Sequence, residues 1–264
     1  MKSLQRILAY TVRHLYLYKR SMPRLMEVFY WPVLDLLLWG FVTVYLSRQS
    51  GAVPQFVTFF LGALILWDIL FRSQQGISVS FLEDVWSRNL LNIFVSPMSA
   101  TEYILSLLFL SVIKLLLTSA VMVTLAWLLY SFNIFTLGYS LVPLIINLVV
   151  MGWAVGIVTT ALILRFGQEA EVLAWGVALF FQPVSAVFYP VAVLPWYLKV
   201  VADYVPASHV FEGMRMIVAG QAFPTHELAW AAGLNIVYIV LSVLFFYWNF
   251  KAVKRKGLLV KVGE

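Results

Sequence analysis

The dominant feature of this sequence is a series of apolar stretches of roughly the twenty residues that a helix needs to cross a bilayer, separated by short basic loops. They cover about 28–46, 54–71, 100–132, 141–164, a run starting near 172 that carries Pro183 inside it, and 228–250. The chain of 264 residues is 62% hydrophobic and 11% charged, with a mean hydropathy of +0.91. Soluble domains have about 25% charged residues, so both a soluble globular fold and disorder are excluded. The expected class is all-α and polytopic, with six transmembrane helices in one domain, 1–264. Cysteine is absent, which removes disulfides, thiolate metal sites and cysteine nucleophiles. The net charge of +6 on so apolar a chain suits anionic lipid rather than nucleic acid.

Residues 1–25 do not form a signal peptide, because Arg6, Arg13, Lys19 and Arg20 interrupt every apolar run. On a helix, Lys2, Arg6, Arg13 and Arg20 share one face, opposite Leu4, Ile7, Leu8, Val12 and Leu15. That pattern predicts an amphipathic helix lying in the membrane interface, ended by Pro23. A turn is expected at Ser50-Gly51. The polar stretch 72–102 holds two capping boxes, Ser80-x-x-Glu83 and Ser99-x-x-Glu102. The first predicts a short helix in 80–96; the second opens the long third span. The piece 191–201 is too short to cross and predicts a re-entrant hairpin within 189–220. A short amphipathic helix is expected over 208–220, and Thr225 is expected to cap the last span.

Fourteen Lys and Arg fall in one set of segments and only Arg48, Lys199 and Arg215 in the other. The basic side faces the cytoplasm, so both termini, the 72–102 loop and the knot Arg165–Glu171 are expected inside. The expected location is the bacterial inner membrane, with membrane lipid as a partner.

Three ionisable residues lie within or at the edge of spans: Asp35, Lys114 and Asp68. Such groups need partners or water. An Asp35–Lys114 pair and a local Asp68–Arg72 pair at i,i+4 would supply them; the first pair is read as structural ahead of a substrate or proton path. Asp203, His209 and Glu212 share the outer segment, but their spacing reads as a solvated loop rather than a metal site. No nucleophile elbow or P-loop occurs, so no catalytic residue, metal or bound cofactor is assigned and nucleotide energy must come from another chain. The capped segment FLEDVWSRNLLN over 81–92 reads as a docking surface for a soluble partner.

Taken together, the basic amphipathic start, Trp31-Pro32, FLEDVWSRNLLNIFVSPMSATEY, the Arg165-Phe-Gly knot and QPVSAVFYPVAVLPWYLKVVADYVPASHVFEGMR resemble the six-span membrane subunits of type-2 ABC exporters. The resemblance implies two permease copies, identical or close paralogues, around a translocation path. It implies a cytoplasmic ATPase partner that binds ATP and Mg. It implies that Glu83, Asp84, Trp86, Arg88 and Asn89 form a coupling helix, with Arg165 and Glu169 in a second contact. It implies that Pro183, Tyr189, Pro190 and Pro195 shape an exit gate. The knot lacks the Phe-Arg-Asp triplet of the polysaccharide branch, which places lipid-like or drug-like cargo ahead of polysaccharide or glycolipid. A membrane-embedded lipid-processing enzyme is the alternative of another class; it requires clustered intramembrane polar residues, and only Asp35 and Lys114 qualify.

Overall fold

The computed structural model describes residues 2–49 and 54–256, and these are 87% helical, without strands. The expected Ser50-Gly51 turn and Lys261 lie outside the described residues. Ten α-helices follow in order: α1 (Lys2–Lys19), α2 (Met22–Gln49), α3 (Pro54–Trp86), α4 (Leu90–Val95), α5 (Ala100–Tyr130), α6 (Leu141–Phe166), α7 (Leu173–Val184), α8 (Trp196–Ala202), α9 (Pro206–Val218) and α10 (Thr225–Arg255). Four stretches of the described residues, Met22–Leu46, Ala100–Tyr130, Ile134–Phe166 and Thr225–Arg255, are long and apolar enough to cross a membrane. Large apolar side chains such as Leu38, Phe41, Leu116, Leu128, Phe180, Val240, Leu241 and Leu244 stand exposed on these helices and on α7. Contiguous apolar surface on that scale belongs to a chain solvated by lipid.

Several local expectations change. Ser80 does not cap a helix. Its Oγ donates to the Gly76 carbonyl inside α3, which runs unbroken for 33 residues, about 50 Å. A Ser-x-x-Glu spacing also occurs inside helices, where the hydroxyl back-bonds to the preceding turn. The separate short helix is α4, beginning at Leu90 after a turn in which Arg88 has φ 51°. The Ser99 box forms as expected: its hydroxyl accepts from Glu102 N–H while Glu102 accepts from Ser99 N–H. α7 has only twelve residues and stops before the loop that carries Tyr189. Residues 191–201 form a single 3₁₀ turn and α8, and α9 starts at Pro206 rather than 208. Thr225 is the first residue of α10 and caps nothing with its side chain.

The core is organised around α3. Gly152 and Gly156 of α6 let that helix lie directly on the α3 backbone. A Cβ on Gly152 would come within 2.6 Å of the Leu70 carbonyl oxygen and 2.7 Å of Ser73 Cβ, and one on Gly156 within 2.9 Å of the Gln74 carbonyl oxygen. Gly76 of α3 makes the matching approach to Ser111 of α5, where a Cβ would stand 2.7 Å from Ser111 Oγ. Small residues permit this in lipid, where packing and polar links replace the hydrophobic drive between helices. The links are present: Ser111 donates to Ser73 O (3.1 Å), Trp153 to Ser111 (3.3 Å), and Gln74 to Ala174 O (3.1 Å). Between α6 and α10, Asn235 donates to the side chain and carbonyl of Asn147, both at 2.9 Å.

α1 differs most from its expected setting. Arg6 pairs with Glu102 (3.3 Å) and Tyr18 meets Lys114, contacts twelve residues apart on both helices. α1 and α5 therefore run side by side in the same sense for about 18 Å. The apolar residues Leu4, Leu8, Val12 and Leu15 face outward, while Tyr10, Thr11, His14 and Tyr18 are buried against α3 and α5. The helix is inside-out relative to a water-soluble one.

Substituting Gly152 by Val should destabilise the chain by about 2 kcal/mol, because the added methyls meet backbone. Gly233→Ala, at a site with open space, should leave it unchanged or slightly more stable. Unfolding midpoints in detergent check both.

Candidate functional site

Two regions gather the polar groups of this apolar molecule. The first is a clasp where α1, the end of α3 and the start of α5 meet. Glu83 and Asp84 are buried there. Tyr10 donates to Asp84 Oδ2, Tyr103 donates to the same oxygen (3.0 Å), and Arg13 reaches Oδ1 at 3.2 Å. Tyr18 donates to Glu83, and Lys114 donates to Tyr18 and to Ser80 Oγ (2.7 Å). His14, fully buried, lies between the two carboxylates, with Nδ1 3.6 Å from Glu83 and Nε2 3.5 Å from Asp84. Those separations are ion-pair distances rather than hydrogen bonds.

The electrostatics follow from this enclosure. Burial alone pulls His14 down, but the Asp84 and Glu83 carboxylates outweigh it and hold the imidazole above its ordinary 6.5. Burial alone would raise Asp84 and Glu83. His14 is the main opposing influence on both, joined by Tyr10 and Arg13 for Asp84 and by Lys114 and Tyr18 for Glu83, and the net shift of each is downward. A charged His14 and two charged carboxylates stabilise one another.

This arrangement redistributes the residues expected to form one docking helix. Glu83 and Asp84 are internal and hold α1 to α3. Trp86, Arg88, Leu91, Val95, Ser96 and Pro97 form an exposed tip beyond them, with Asn89 half-buried. The tip touches the Arg165–Glu171 knot: Trp86 Nε1 donates to Glu171 (3.1 Å) and its ring stacks on Trp175 at 6.1 Å. Glu169 is exposed beside it. Arg165 donates to Asn249 of α10 (3.3 Å) and lies over the Trp248 ring at 5.3 Å.

The second region is a cavity of about 460 Å³ between α2, α3, α5 and α7, open on the side where Asp35 and Trp39 are exposed. Asp35 and Trp39 of α2, Leu64, Trp67, Asp68 and Phe71 of α3, Met122 of α5, and Gln182, Pro183, Phe188 and Tyr189 at and beyond the end of α7 line it. Asp68 pairs with Arg72 (3.1 Å), as the spacing predicts, and Arg72 also donates to Gln75 (2.8 Å). The expected Asp35–Lys114 pair does not form. Tyr130 donates to the Leu36 and Leu37 carbonyls, so this stretch of α2 meets α5 sixteen residues beyond Lys114, about 24 Å along its axis. Lys114 belongs to the clasp instead.

At the other end of the bundle, Tyr189 donates to Pro183 O (2.7 Å) and Glu212 accepts from Val191 N–H (2.6 Å) and from Arg215. His209 pairs with Glu227 (2.6 Å), and its Nε2 contacts the Asp203 carbonyl (3.0 Å). Among the described residues no group of three or more His, Asp or Glu could hold a metal ion. Pro190 and Pro195 start the 3₁₀ turn and α8, which places them at the corners of the segment between α7 and α9.

Sequence reasoning missed His14, Tyr10, Tyr18 and Tyr103. Their spacing of four on α1 (Tyr10, His14, Tyr18) marks one face, but the partners lie some seventy residues away.

The clasp should make stability depend on pH on both sides. A raised imidazole contributes fully below about 6.5 and loses its contribution as pH climbs through the elevated folded value. The lowered carboxylates contribute above about 4 and lose it as pH falls through their depressed values. Unfolding in detergent should therefore show a stability maximum near pH 5–6.5, and His14→Gln should flatten the alkaline decline. Asp84→Asn, which leaves His14 and Arg13 short of a counter-charge, should cost about 3 kcal/mol in the same assay.

No curated protein is similar enough to this chain to match it. The sequence model described as ABC-2 family transporter protein matches residues 40–248, a range that holds the last third of α2, all of α3, the exposed tip, the cavity lining apart from Asp35 and Trp39, and most of α10. The chain belongs to the ABC-2 transporter family, and is a multi-pass membrane permease subunit whose ATPase is carried by another chain.

Proposed function

We propose that this chain is the membrane half of an exporter that moves amphipathic, lipid-like or drug-like molecules outward, with six crossings and both termini in the cytoplasm of a bacterial inner membrane. Two copies, identical or closely related, enclose the path, and a cytoplasmic ATPase subunit engages each one. The observation that carries this reading is the exposed tip of residues 86–97, anchored by the clasp at the basic end of the molecule. A surface tip with an anchored base suits force transfer from a soluble partner. Trp86, Arg88, Leu91 and Val95 would meet the ATPase; Glu83 and Asp84 keep the tip attached to α1 and α5. Arg165 and Glu169 form the lesser contact, next to Trp86 through Glu171.

The mechanism follows from α3. The same helix carries the clasp at one end and four cavity residues, Leu64, Trp67, Asp68 and Phe71, three to five turns away. Its backbone is seated on α6 at two glycines and on α5 at one. ATP-driven closure of the ATPase pair would displace the tip. A helix packed this closely moves as a body, so the displacement would reach the cavity wall. Two states of the seam, biased by nucleotide on the partner, provide the coupling. The loop after α7, with Pro183, Tyr189, Pro190 and Pro195, would form the outer gate, since proline ends helices there.

Two measurements test this. The double substitution Arg88→Glu, Leu91→Glu should cut copurification of the ATPase at least about tenfold, a change of ~1.4 kcal/mol, while the chain itself stays folded. Undiminished copurification would refute the tip assignment. The chain has no cysteine, so single cysteines report sidedness cleanly. Gln221→Cys should react with an impermeant maleimide only from outside and Ser96→Cys only from inside; the reverse pattern would invert the topology.

A further inference from the structure

We propose that the cavity between α2, α3, α5 and α7 is a binding site for organic monocations with an apolar body, and that Asp35 is its counter-charge. The inference deepens the export reading above and rests on it for the site's purpose, though not for the binding itself.

Charge comes first. Two carboxylates, Asp35 and Asp68, line the cavity, and among the described residues one guanidinium, Arg72, neutralises half of that charge. Arg72 is committed to Asp68 and Gln75. Among the described residues Asp35 has no ion pair or hydrogen bond; its expected partner, Lys114, is held in the clasp by Tyr18 and Ser80. Arg72 acts on Asp35 only through space, so the two carboxylates and one guanidinium leave the cavity one negative charge in excess, in the middle of a stretch long and apolar enough to cross a membrane. An ionisable group there is costly unless a partner or water reaches it. Arg72 reduces that cost for Asp68, and the cavity leaves room for a ligand to reduce it for Asp35.

The walls state what else the ligand needs. Trp39, Trp67, Phe71, Phe188 and Tyr189 face the space. Phe188 stacks on Phe60 (4.8 Å) and on Trp39 (6.2 Å), which makes an aromatic cluster at one side. Aromatic faces attract cations, more strongly when the pair is desolvated. At about 460 Å³ the cavity falls within the range that takes drug-sized molecules. Gln182 adds a neutral polar group at the α7 side. An anion would meet Asp35 and Asp68 unfavourably. A hydrophobic ammonium or phosphonium ion satisfies both the lone carboxylate and the aromatic walls.

The probe is tetraphenylphosphonium, with tetraphenylborate as the anion of matching shape. Binding is measured by equilibrium dialysis on the chain in phosphatidylcholine nanodiscs, with and without its ATPase, against empty nanodiscs. Saturable binding of tetraphenylphosphonium, absent for tetraphenylborate, is expected. Asp35→Asn should weaken it at least about tenfold, or ~1.4 kcal/mol. Asp35→Glu should retain most of the affinity, which separates loss of charge from loss of fold. Leu179 of α7 also lines the cavity, and Leu179→Trp, which fills it from that side, should abolish binding as well. Equal binding of both ions, no saturable binding, or an Asp35→Asn affinity equal to wild type would overturn the site. ATP hydrolysis by the assembled complex is followed in parallel. Failure to assemble or hydrolyse counts against the export reading, whereas an active complex without Asp35-dependent binding counts against this site alone.

Discussion

Close packing of one long helix against two neighbours is the constraint on which this molecule depends. In lipid, apolar side chains gain nothing by leaving solvent for a helix interface, so contact and polar links must hold the helices together. Gly152 and Gly156 of α6 and Gly76 of α3 remove the side chains that would keep the backbones apart. Ser73, Ser111, Gln74, Trp153 and the Asn147–Asn235 pair then supply the hydrogen bonds. α3 becomes a rigid rod that passes through the core with one end in the clasp and its middle in the cavity wall.

The clasp solves a different problem. A helix with basic residues on one face and leucines on the other has two ways to meet a membrane protein. Here the polar face turns to the protein, because α3 offers two buried carboxylates, Glu83 and Asp84, and α5 a third, Glu102, and the leucines turn outward. Burying Glu83 and Asp84 is costly by itself. His14, Arg13, Lys114 and three tyrosine hydroxyls around them offset that cost. The result ties α1 to the base of the exposed tip, so anything that moves the tip also moves the helix that lies along α5.

Much of the local structure was legible in the sequence. The Ser99 capping box forms with both of its bonds, Asp68 and Arg72 pair at the spacing that predicts it, and the amphipathic run after Pro206 is a helix. The pattern Gly152-x-x-x-Gly156 was a readable sign of close helix packing and could have located the α3–α6 contact. Ser80 misled because the hydroxyl that caps a helix start can equally bond the turn before it. The paired reading of Asp35 and Lys114 failed because it matched depth along two helices without knowing where they cross.

The sequence alone determined which segments are apolar enough to cross a membrane, where the helices are punctuated by proline, glycine and caps, and which loops carry the basic charge. These are local or compositional properties, fixed by neighbours within a turn or two. The tertiary structure alone decided that Glu83 and Asp84 face inward to His14 while Trp86 and Arg88 face out, and that Asp35 lines a cavity without an ion pair among the described residues. Such outcomes depend on the angle at which helices distant in the chain meet, and side-chain spacing within one helix carries no record of that angle.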